Sequence, residues 1–83
     1  MAEALYSVAT WDTNRQAYTP QRGLTVPSFN ITLTQLRQAV RDLRRLGYPA
    51  HRLKHLDGCN DHDVLIERTD GECWRSIMRR WRR

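Results

Sequence analysis

Apolar positions along this chain repeat with two different periods. Leu5-Tyr6-Ser7-Val8-Ala9-Thr10-Trp11 is dense in β-formers, and Ala17-Tyr18-Thr19 follows the polar stretch Thr13-Asn14-Arg15-Gln16, which together predict a hairpin. If Asp12 pairs with Ala17, Trp11 faces Tyr18, an aromatic cross-strand pair that fixes register. Pro20, Gly23 and Pro27 make residues 20–30 a connecting loop. The period then changes to that of a helix. Leu33, Leu36, Val40 and Leu43 recur at helical spacing, Thr32 with Gln35 makes a capping box, and Gly47 and Pro49 mark the stop. Residues 50–56 and 64–69 predict two more strands around the polar stretch 57–63, a second hairpin. Asp70-Gly71 then caps a last helix in which Trp74, Ile77, Met78 and Trp81 share one face.

The order β-β-α-β-β-α predicts a single α+β domain over 1–83, an antiparallel sheet with two helices packed on one face. Leu33, Leu36, Val40, Leu43, Val8, Leu53, Ile66, Trp74 and Ile77 are its expected core. Residues 80–83 read as a frayed tail. A chain of 83 residues buries only about 60–65% of the surface its unfolded form exposes, so the core must be thin.

Charge adds a surface to this frame. The net value is +5, but its distribution is more informative. Residues 1–35 balance, 36–56 carry +5, 57–72 carry −5 and 73–83 carry +5. Thirteen of the fourteen basic residues are Arg, whose planar fork matches phosphate geometry as Lys does not. Arg37, Arg41 and Arg44 form a stripe on the first helix away from its leucines, and Arg75, Arg79 and Arg82 form another on the second. Such blocks suit either an external polyanion or internal pairing with the acidic segment.

The leading expectation is therefore a small non-enzymatic nucleic-acid-binding protein contacting the phosphate backbone of DNA or RNA through Arg37, Arg41, Arg44, Arg75, Arg79 and Arg82. Arg52 and Lys54 extend the patch and Trp81 stacks on an exposed base. The alternative is a protein-interaction or self-associating module, a homodimer or a protein complex, built on the Trp-bearing last helix, with the arginines only solvating or ion-pairing. The run Gln35–Tyr48 with a hairpin closed by Val64–Arg68 resembles the recognition helix and wing of winged-helix DNA-binding proteins, whose two earlier helices have no counterpart in residues 1–31.

Other chemistry is thinly supported. His51, His55, Cys59 and His62 are zinc-type ligands, but on a strand rising about 3.3 Å per residue His51 and His55 stand roughly 13 Å apart. His55, Cys59 and His62 could still converge across a hairpin. The acidic loop with Asp57, Asp61 and Asp63 lacks the Glu of an EF-hand calcium loop. Asp63 and Glu67, as nuclease-type carboxylates, are likewise about 13 Å apart on a strand. Neither a nucleophile–base arrangement nor a Gly-rich phosphate loop is present, so no enzyme and no cofactor are expected. Cys59 and Cys73 are too few for a disulfide scaffold and are expected to be thiols. Met1-Ala2-Glu3-Ala4 has no positive n-region, and no long apolar run follows, which predicts a cytoplasmic chain without a membrane span.

Overall fold

A computed structural model of the chain describes residues 3–48, 53–55 and 64–82. Its six elements follow the expected order: β1 (Tyr6–Asp12), β2 (Ala17–Thr19), α1 (Leu33–Arg45), β3 (Leu53–His55), β4 (Val64–Arg68) and α2 (Trp74–Trp81). The class is α+β. The strands form one sheet in the order β2-β1-β4-β3. No helix among the described residues is long and apolar enough to cross a membrane.

The first hairpin has the expected register, with Asp12 opposite Ala17 and Trp11 opposite Tyr18, and the two rings meet edge-on at 5.0 Å. β4 pairs antiparallel with the other side of β1, Val8 opposite Ile66. The second hairpin does not form: β3 lies parallel to β4, with Leu53 opposite Val64 and His55 opposite Ile66. A winged-helix wing is an antiparallel hairpin, so the resemblance to that fold does not extend to the structure. Residues 57–63, the expected turn, lie outside the described residues.

The two helices also do not share a face. Neighbouring residues of a strand point to opposite sides of a sheet. Val8, Val64 and Ile66 are buried with Ala39 and Leu43 of α1 and with Ile31, whereas Ala9 and Leu65 are buried with Ile77 and Trp81 of α2 and with Tyr18. One helix therefore covers each side. Four consecutive residues of β1, Ser7–Thr10, and four of β4, Val64–Glu67, are consequently buried.

α1 begins and ends as its sequence predicts. Thr32 and Gln35 exchange both hydrogen bonds of the capping box, and Gly47 follows the C-cap at φ 98°. α2 is held differently: Cys73 is its N-cap and supplies no side-chain bond. Asp70-Gly71 instead forms the turn after β4, with φ 48° and 86°. That turn is fixed by Asn30, whose Oδ1 accepts from the Thr69 hydroxyl at 2.6 Å and the Gly71 amide at 2.9 Å.

Core membership departs from the expected list at its ends. Trp81 is 1% exposed and stacks on Phe29 at 5.3 Å, while Trp74 is 51% exposed and Leu33 44%. The helical period puts both tryptophans on one face, but the second core is centred under the last turn of α2, and its first turn overhangs. Within the segment expected to fray, Arg82 bridges to Ala17 of β2. Leu53 lies in β3, and nothing further is described of its side chain.

Candidate functional site

Opposed helices divide the arginines into two surfaces. Arg37, Arg41 and Arg44 are exposed on α1, on one side of the sheet, while Arg75, Arg79 and Arg82 are exposed on the α2 side. The single six-arginine patch expected from the sequence is not formed. Lys54 sits on β3, the edge strand farthest from β2. Arg52, with His51, Cys59, His62 and Asp57, Asp61 and Asp63, lies outside the described residues. Among the described residues no cluster of three His, Cys, Asp or Glu is arranged to hold a metal ion.

The α2 side carries the more developed site. Three hollows run along the seam between α2 and β2 and share Met78. The first is lined by Trp74, Arg75, Met78, Arg79 and Arg82, and the second, of about 360 Å³, by Arg15, Ala17, Tyr18, Thr19, Met78 and Arg82. The third continues past Pro20 to Gln21 and Arg22. They amount to one shallow groove lined by Arg15, Arg22, Arg75, Arg79 and Arg82. Arg82 belongs to it because its backbone bridges to Ala17, which seats the end of α2 against β2.

Carboxylate placement keeps this groove cationic. Arg80 projects from the opposite flank of α2, where its guanidinium pairs with both Glu67 and Glu72. Glu67, nearly buried, also accepts the Trp81 indole N–H at 2.8 Å. These bonds raise the Arg80 pKa, the Glu72 hydrogen bond most of all, against the opposing effect of burial. Glu67 is thus an anchor for α2. Of the groove's lining residues only Asp12 is acidic, and it is engaged at the hairpin turn, 3.8 Å from Arg15 and accepting the Asn14 and Arg15 amides. Among the described residues, no carboxylate lies within ion-pair distance of Arg22, Arg75, Arg79 or Arg82.

The α1 stripe is kept cationic by a different device. Asp42, the helix's acid, is fully buried and turned inward. Its carboxylate accepts the Thr25 amide and hydroxyl at 2.7 Å each, Gln38 at 3.0 Å and Arg45 at 2.9 Å. The Thr25 amide bond is the largest of the causes that hold its pKa well below the ordinary carboxylate value, against burial. Asp70 is lowered likewise, first by the Leu5 amide and then by Arg68. Arg37, Arg41 and Arg44 have no carboxylate partner among the described residues; Arg41 donates to the Gln38 side-chain oxygen at 3.3 Å.

Sequence reasoning missed Arg15 and Arg22, which flank β2 in turn and loop. Nothing local marks them, since their role depends on α2 lying across β2. It also interchanged the tryptophans: Trp81 is sealed in the core and cannot stack on a base, whereas Trp74 lies at the open end of the groove. No family model matches the chain, and neither a curated protein nor a solved structure shows significant similarity to it. What can be said of the site therefore rests on its geometry: an α+β domain with a groove whose chemistry suits an anionic chain.

Proposed function

We propose that the protein binds nucleic acid through phosphate contacts from the groove between α2 and β2. The observation that carries this reading is the convergence of Arg15, Arg22, Arg75, Arg79 and Arg82 on one groove whose one lining carboxylate is already engaged. Arg22, Arg75, Arg79 and Arg82, without a carboxylate partner among the described residues, are available to take phosphate oxygens, while Arg15 keeps a 3.8 Å contact to Asp12; the Arg fork takes phosphate bidentately. A row of such groups spread over three adjoining hollows suits an extended polyanion better than a single small anion. Phosphate contacts fix position and carry no base sequence, so the expected binding is sequence-tolerant.

Fluorescence anisotropy of labelled DNA and RNA against the full chain tests this. Five phosphate contacts give a log–log salt slope of about 3.5 on single strands and about 4.5 on duplex DNA. Raising salt fourfold should then weaken binding by about a hundredfold or more. Absence of binding at low salt, or a slope near zero, would refute the reading. The alternative, self-association through the apolar face of α2, would have to use Trp74, because Ile77 and Trp81 are enclosed in their own core.

A further inference from the structure

We infer that the groove selects single-stranded over duplex nucleic acid, with Trp74 serving as the platform for an unpaired base. The inference rests on the phosphate-binding reading above and adds the class of strand that the groove accepts.

Three observations carry it. Trp74 is half exposed at the groove's open end, although a ring of this size is ordinarily buried on average, as Trp81 is here. The Arg75 guanidinium lies over the ring, 5.3 Å from its centroid, and covers part of one face. Ring and guanidinium plane are both surfaces on which a flat, electron-rich heterocycle stacks, so a base seated on this pair lies beside the phosphate-binding arginines. Finally, Arg79 and Arg82 lie in the same hollow as Trp74. Along a helix rising about 1.5 Å per residue, Arg79 is roughly 6 Å and Arg82 roughly 10 Å beyond Arg75. A strand tracking these cations toward Arg15 passes with one base at Trp74 and its backbone along the arginines.

Duplex excludes this arrangement. Its base faces are stacked on one another, and its phosphates alone reach a shallow groove, so duplex can use the arginines but not Trp74. Single strands present bases that can be splayed onto aromatic rings, whatever their identity. A sequence-tolerant, single-strand-preferring binder is the consequence. Stacking of one base corresponds to about a 5- to 100-fold gain in affinity.

The test measures labelled oligo-dT, oligo-U and a DNA duplex of equal length by anisotropy against the full chain, its Trp74→Ala and Trp74→Phe variants, and an Arg75→Gln/Arg79→Gln/Arg82→Gln variant. Single strands should bind the unmodified chain more tightly than duplex. Trp74→Ala should lose about 5- to 100-fold on single strands, with duplex affinity and salt slope unchanged, and Trp74→Phe should recover most of the loss. Equal affinity for single strand and duplex, or Trp74→Ala binding single strands like the unmodified chain, would overturn the inference and leave the phosphate reading standing. Unaltered binding by the triple Arg variant, or no binding by any form, would instead overturn both. A preference for oligo-dT or oligo-U tells DNA from RNA as the strand. Because Trp74 is outside the core, circular dichroism of Trp74→Ala should match that of the unmodified chain; a lost fold would count against the assignment of Trp74 to the surface.

Discussion

Trp81 and Trp74 provide a sharp test of the architecture, because the same helical face carries both and the structure assigns them opposite fates. Trp81→Ala removes a side chain that is 1% exposed, stacked on Phe29 and bonded through its indole N–H to Glu67. Large-to-small replacement of a buried aromatic costs about 3–5 kcal/mol, and stranding the Glu67 oxygen adds about 1–3 kcal/mol. An 83-residue domain has a total stability of about 4–12 kcal/mol, so this one change consumes much of it. Trp74→Ala, by contrast, removes a half-exposed ring and one cation–π contact and should cost under about 1 kcal/mol. Urea unfolding followed by far-ultraviolet circular dichroism measures both. The expected result is a variant unfolded or nearly so for Trp81, and a midpoint close to that of the unmodified chain for Trp74. Comparable losses at the two positions, or a larger loss at Trp74, would refute the placement of α2 over the sheet and with it the groove.

Three further outcomes follow from the same geometry. Removing Arg80 with Arg80→Met leaves Glu67 held only by the Trp81 N–H on the nearly buried side of α2, and should cost about 1–3 kcal/mol in denaturant unfolding; a neutral effect would show that the Arg80 pairs do not anchor the helix. The folded-state pKa of Asp42 lies below its unfolded value, so its contribution to stability is complete above about pH 5 and is lost as pH falls through 3.8 and below. Asp42→Asn should accordingly be less stable near neutrality and flatter in its acid unfolding profile, and an unchanged profile would contradict the Thr25–Asp42 bonding. Replacing Arg37, Arg41 and Arg44 by Gln should lower nucleic-acid affinity at low salt far less than replacing Arg75, Arg79 and Arg82, and only the second set should reduce the salt slope, by about 2 on single strands. The reverse order would move the binding surface to α1.

Much of the local structure is legible because it depends on short-range rules. The Thr32–Gln35 capping box, the stop at Gly47 and the Trp11–Tyr18 register each follow from residues a few positions apart, and each is present as expected. One long-range feature was also written in the chain and overlooked. Val64-Leu65-Ile66 and Val8-Ala9 are unbroken apolar runs, whereas a strand with one wet face alternates. Those runs indicate a sheet covered on both sides, which is what separates α1 from α2.

The linear order of residues therefore determined the α+β class, the six elements, the caps of α1 and the excess of arginine. Tertiary structure alone decided which arginines meet, because that depends on which face each helix covers and which carboxylates are drawn inward. Asp42 turns into the core for the Thr25 loop, Glu67 and Glu72 are taken by Arg80, and the bridge from Arg82 to Ala17 brings the end of α2 beside Arg15. Each of these contacts joins elements distant in the chain or selects one among several competing partners. Helical periodicity, which sees only spacing along one element, has no means to make that selection.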